Sequence, residues 1–145
     1  MSLCLGLLIS FSSAAAGICP NLSGSFYNEE TETNYSIEQQ GCDLIRFIYD
    51  EGAIEVNADG KEALVSSYEI VVEEGKVLAT VKIFETNEFN GNNLITNERS
   101  EVVYASGDVE NDAVSSVSFL DQNLDLVTAS HGSNGDETTI DKRVQ

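Results

Sequence analysis

Past residue 20, apolar and polar residues alternate in short runs that Gly, Asn and Asp interrupt roughly every 8–12 positions, a period-2 pattern typical of antiparallel strands. "LSGSFYN" opens the series. "NYSIEQQ" sets Tyr35, Ile37 and Gln39 on one face, and "DLIRFIYD" sets Ile45, Phe47 and Tyr49 on one face with Arg46 on the other. A charge is cheaper in water than buried, so the Ile45, Phe47, Tyr49 face is expected inside. "AIEVN" and "KEALV" flank "ADG", which predicts a hairpin because Gly accepts positive φ. "SYEIVVEEGKVLATVKIFE" predicts another, with Tyr68, Ile70 and Val72 on one strand and the wholly apolar face Val77, Ala79, Val81 and Ile83 on the other. "TNEFNGNN" reads as a polar loop. "LITNERSEVVYA", "AVSSVSFLD", "LDLVTAS" and "TTIDKRV" complete the strands, separated by "SGDVEND", "QN" and "HGSNGD".

The pattern predicts an all-β, single-domain, antiparallel up-and-down β-barrel of about 8–10 strands. Consecutive hairpins leave exposed edges unless the sheet closes, and closure removes them. A two-sheet sandwich is the alternative that periodicity does not separate from the barrel.

The first residues break the pattern. "LCLGLLISF" at 3–11 is apolar or small and "SSAAAG" follows, which is the apolar core and cleavage site of a secretory signal spanning 1–16. The run is well short of the ~20 residues that cross a bilayer, so no membrane span is expected. The remaining 17–145, about 129 residues, suits one domain with one core. It holds Cys19 and Cys42. Zinc wants about four ligands and a thiol nucleophile wants a nearby histidine, whereas this segment has two thiols and His131 alone. A Cys19–Cys42 disulfide in a secreted or periplasmic protein is the simplest reading. It closes a loop of about 24 residues, for which chain entropy gives roughly 3 kcal/mol.

The chain carries 25 acidic and 7 basic residues, a net charge of −18. That balance excludes nucleic acid and anionic lipid surfaces as partners and leaves a basic exported protein as one option. No cofactor or metal is expected. "DQNLD" has the spacing that opens a calcium loop, but Leu126 stands where glycine is required and Gly132 where a glutamate is, so it reads as a turn. Ser130, His131 and Asp136 sit together in "SHGSNGD", yet neighbours on one polar turn seldom converge as a triad, and no catalytic residue is assigned. The aromatics Tyr35, Phe47, Tyr49, Tyr68, Tyr104 and Phe119, with Val81 and Ile83, are the candidate lining of an interior ligand site.

"CPNLSGSFY", residues 19–27, resembles the first strand of the calycins, the lipocalins and avidins, where a Gly-x-Trp opens the barrel. Here Gly24 and Phe26 hold the pattern, with Phe in place of Trp. The resemblance implies that Phe26 plugs one end of the barrel and that Arg143 from the last strand packs over it. The expected function is non-enzymatic: a small, partly apolar molecule held inside the barrel. The alternative is an acidic module that binds a protein, for instance an inhibitor of a basic exported enzyme.

Overall fold

The computed structural model describes residues 19–72 and 75–144. The segment read as a secretory signal, 1–16, lies outside the described residues, as do Glu73 and Glu74 of the predicted "EEGK" turn. Ten strands follow one another: β1 (Gly24–Asn28), β2 (Thr33–Gln40), β3 (Leu44–Tyr49), β4 (Gly52–Asn57), β5 (Ala63–Val71), β6 (Val77–Asn90), β7 (Asn93–Tyr104), β8 (Val109–Leu120), β9 (Leu126–Gly132) and β10 (Gly135–Val144). All pairings are antiparallel, in the order β4-β3-β2-β1-β10-β9-β8-β7-β6-β5. The sheet is therefore an up-and-down meander whose first and last strands are neighbours, as a barrel requires. It stops short of full closure, because β4 and β5 form its two edges.

This edge corrects the hairpin expected across "ADG". Gly60 does adopt positive φ (71°), so the turn signal is real. The turning backbone bonds elsewhere, however: Ala58 N donates to Asp43 O at 2.8 Å and Gly60 N to Asn87 O at 2.9 Å. An isolated bridge, Asp59 to Glu88, sits between those bonds. The connector thus crosses to the far end of β6 instead of folding β5 back onto β4. Arg99 holds it there through Glu62 at 3.1 Å.

Several stretches expected as loops belong to strands. "TNEFN" continues β6, and the chain reverses at Gly91, whose φ of 60° suits a tight Asn-Gly hairpin turn. The polar residues survive inside a strand because they are partnered: Asn87 is buried and accepts from Thr96 Oγ1 at 2.7 Å. "VEND" likewise opens β8 and Asp136 pairs with His131 across β9 and β10.

The core is a cluster of Leu22, Phe26, Ile37, Ile45, Ala58, Leu94 and Leu126, with Tyr35, Phe47, Val56, Phe89 and Leu120 packed against it. It lies at the end of the sheet where the Cys19–Cys42 disulfide (Cα–Cα 5.5 Å) pins the segment before β1 to the β2–β3 turn. Phe26 is fully buried. Its register partner on β10 is Arg143, whose guanidinium carbon stands 5.6 Å from the Phe26 ring centroid. The same guanidinium donates to Ser23 O at 2.9 Å. Gly24 lies directly beneath it: a Cβ there would stand 2.7 Å from Arg143 Nη2 and would displace the guanidinium from its present position.

Candidate functional site

The strand registers align one continuous inner face. Phe26 faces Tyr35 across β1 and β2, and Ile37 faces Phe47 across β2 and β3. Asp141 faces Leu126, and Ser118 faces Thr128, on the other side of the interior. Between these two walls opens a cavity of ≈ 300 Å³. Leu22, Ile37, Leu94 and Leu126 supply apolar lining and Tyr35, Phe47 and Tyr49 the aromatic wall. Polar groups complete the lining, Asn28 and Thr33 from β1 and β2 and Ser118, Thr128 and Asp141 from β8, β9 and β10.

The aromatic wall is ordered by ring contact. Tyr35 stacks on Tyr49 with centroids 5.5 Å apart and on Phe26 at 5.8 Å, and Phe47 lies 6.4 Å away. Such offset arrangements add a contribution beyond the area they bury. The hydroxyl wall is ordered by cross-strand bonds, Ser118 Oγ to Thr128 Oγ1 and Ser116 Oγ to Ser130 Oγ, both 2.9 Å. A strand that points small hydroxyls inward leaves room where large side chains would fill the barrel.

Asp141 joins the two walls. It is only 8% exposed. Tyr35 Oη donates to its Oδ2 and Asn28 Nδ2 donates to its Oδ1 at 2.6 Å. Burial, the hydrogen bond to Asp141 and its charge together push the Tyr35 phenol far above the usual tyrosine range. Burial and then the Asp141 charge raise Tyr49 as well. Both hydroxyls therefore stay neutral donors at any pH where the protein is expected to work.

Of the residues singled out from sequence as ligand lining, this cavity brings together Tyr35, Phe47 and Tyr49. It does not gather the others. Val81 is buried and Ile83 half-buried on the same face of β6 as Phe89, but further along the strand. Tyr68 pairs with Val81 on the edge strand β5 and is 52% exposed. Tyr104 ends β7 and donates from Oη to Glu110 at 2.9 Å. Phe119 lies on the opposite face of β8 from Ser118, pairing with Val127. Arg46 points outward, within 3.7 Å of both Glu38 and Glu55.

Sequence reasoning missed Asp141, Asn28 and the inward hydroxyls. The available signal was Asp141 itself, an acid at the position where "TTIDKRV" alternates toward the same face as Arg143.

The other chemical candidates resolve into structure. Ser130 and His131 are adjacent on β9 and so point to opposite faces; the serine bonds inward to Ser116, while His131 Nδ1 meets Asp136 Oδ1 outside, both side chains 80% exposed. In "DQNLD", Asp121 Oδ1 accepts from the backbone N of Asn123 and Asp125, and Leu124 takes the left-handed φ of 65°. Asp125 then clamps β10, accepting from Arg143 N at 2.9 Å and Lys142 Nζ at 3.0 Å. Those bonds, the backbone one first, hold its carboxyl below the usual carboxylate range. Among the described residues no group of three or more His, Cys, Asp or Glu is placed to hold a metal ion. No helix among them is long and apolar enough to cross a membrane.

What fold and site define is an all-β protein with an up-and-down antiparallel sheet wrapped around a partly apolar, partly polar cavity. No protein-family model matches the chain, and no curated protein or solved structure matches it.

Proposed function

We propose that the chain is a non-enzymatic binding protein that holds a small, partly apolar molecule in the cavity between the Tyr35–Tyr49 wall and Asp141. The observation that carries this reading is an interior cavity of ≈ 300 Å³ with apolar, aromatic and hydrogen-bonding groups converging on it. That size and mixture suit a small ligand whose orientation is fixed by few polar contacts. The disulfide supports a protein matured in an oxidising compartment, secreted or periplasmic. The Gly24, Phe26 and Arg143 packing at the closed end supports a calycin-like arrangement of the barrel.

A neutral apolar fluorophore, N-phenyl-1-naphthylamine, tests the reading. It is expected to brighten on binding and to stabilise the fold by RT ln(1 + [L]/Kd), about 2.7 kcal/mol at a hundred times Kd. Tyr49→Ala should weaken it, and charge reversal at exposed Glu69 should not. Absence of any thermal shift across lipids, pigments and small apolar metabolites would overturn the carrier.

One observation favours a second reading. Tyr68, Ile70, Val71, Val72 and Leu78 are exposed together around the free edge β5, on a chain of net charge −18. An acidic protein-binding module would use that strip and surround it with charge, and its association with a basic partner would slow as salt shortens the Debye length from ~10 Å at 0.1 M to ~3 Å at 1 M.

A further inference from the structure

We infer that the molecule held in this cavity is an organic cation, an arylalkylamine in chemical class, with its ammonium group on Asp141 and its apolar body against Tyr35 and Tyr49. This rests on the cavity being a ligand site and adds the charge of its ligand.

The first support is the state of the carboxylate. A buried carboxylate is costly unless paired with a cation or fully hydrogen-bonded. Asp141 receives one neutral donor on each oxygen, from Asn28 and Tyr35, and a carboxylate has lone pairs for about four. Among the described residues no lysine, arginine or histidine forms an ion pair with it. The cations next to it in sequence are committed elsewhere: Lys142 Nζ to Asp125 at 3.0 Å, and Arg143 to Ser23 O and the Phe26 ring. The site is thus an acceptor with spare capacity and no resident positive charge.

The second support is what surrounds it. Tyr35, Phe47 and Tyr49 line the same cavity as Asp141, so the apolar body of a ligand whose ammonium sits on the carboxylate meets aromatic surface. Because both phenols stay neutral, they contribute no competing negative charge and no positive one. An acid placed in the same cavity would meet Asp141 head on, and a neutral molecule would leave the carboxylate's remaining lone pairs without a partner. The overall charge of −18 works in the same direction at longer range, drawing cations toward the molecule.

The experiment is calorimetric titration of the full chain with three compounds of nearly one shape: tryptamine, the neutral 3-ethylindole and the anionic indole-3-propionate. Tryptamine is expected to bind about tenfold more tightly than 3-ethylindole, and indole-3-propionate more weakly than either. The preference should persist at 1 M NaCl, where surface charge is screened within ~3 Å. Asp141→Asn should abolish the preference for tryptamine over 3-ethylindole, while Glu69→Gln on the exposed edge strand keeps it. If Asp141→Asn does not fold, the order of the three compounds at high salt on the unaltered chain decides. Equal binding of tryptamine and 3-ethylindole overturns the cation and leaves the cavity reading standing. If neither compound binds, nor the neutral fluorophore, both fall together.

Discussion

The two ends of this sheet are built from the same alternating strands and reach different outcomes. At one end the strands converge on Phe26, Ile37 and Ile45, with a disulfide outside and a guanidinium beneath. At the other, β5 and the starts of β6 and β8 carry Tyr68, Ile70, Val71, Leu78 and Val109 in the open. Alternation alone produced both. The difference lies in what each strand packs against: β1 to β3 share a core with Phe89 at the end of β6, Leu94 at the start of β7 and Leu126 at the start of β9, whereas β5 is an edge with no strand beyond it. A period-2 pattern therefore names the inward face of a strand without saying that the face is covered.

Phe26→Ala should have the largest effect. Its ring is fully buried and is contacted by Tyr35 and Arg143, so truncation should cost about 3–5 kcal/mol in chemical denaturation. A cost under ~1 kcal/mol would mean that this end is not the folding core.

Removing the Cys19–Cys42 bond by paired serine substitution should cost roughly 3 kcal/mol, mostly by freeing the unfolded chain. Non-reducing peptide maps should show the two cysteines linked, and two free thiols in the mature protein would remove this support for the closed end.

Acid should loosen the clamp between the β8–β9 turn and β10. The Asp125 carboxyl is held below its ordinary value, so its contribution is present above the unfolded value near 4 and is lost as pH falls through the lower folded value. Asp125→Asn should flatten the acid limb of the stability curve, and an unchanged limb would show that other carboxylates carry it.

The far end should respond least. Ile70→Ser removes an apolar side chain that is already 39% exposed and should stay within ~0.5 kcal/mol of the parent. A loss above ~2 kcal/mol would mean that this strip is covered in solution.

Much of the closed end was legible in the chain. Alternation marked an all-β, up-and-down chain of about 8–10 strands, of which the structure forms ten in one sheet, and the count of thiols marked the disulfide. Arg46, outside between Glu38 and Glu55, fixed which face of β3 looks inward. The edge was not legible, because "ADG" encodes that the backbone bends and not which strand its amides then meet; Gly60 finds Asn87 on β6. Nor was the polar half of the cavity. Serines and threonines in strands read as solvent-facing, and only the cross-strand register shows Ser118 and Thr128 bonded to each other inside. The strand breaks placed at "TNEFNGNN" and "SGDVEND" failed for a related reason, since polar composition was taken to end strands that side-chain pairing in fact continues.

The most direct test of the account is a backbone amide NMR titration of the full chain with N-phenyl-1-naphthylamine, read residue by residue. On this account, shifts should cluster on Thr33, Tyr35, Phe47, Tyr49, Thr128 and Asp141 around the cavity, with Tyr68 to Val71 on β5 unmoved. Shifts confined to β5 and the neighbouring end of β6, with the cavity residues silent, would contradict it.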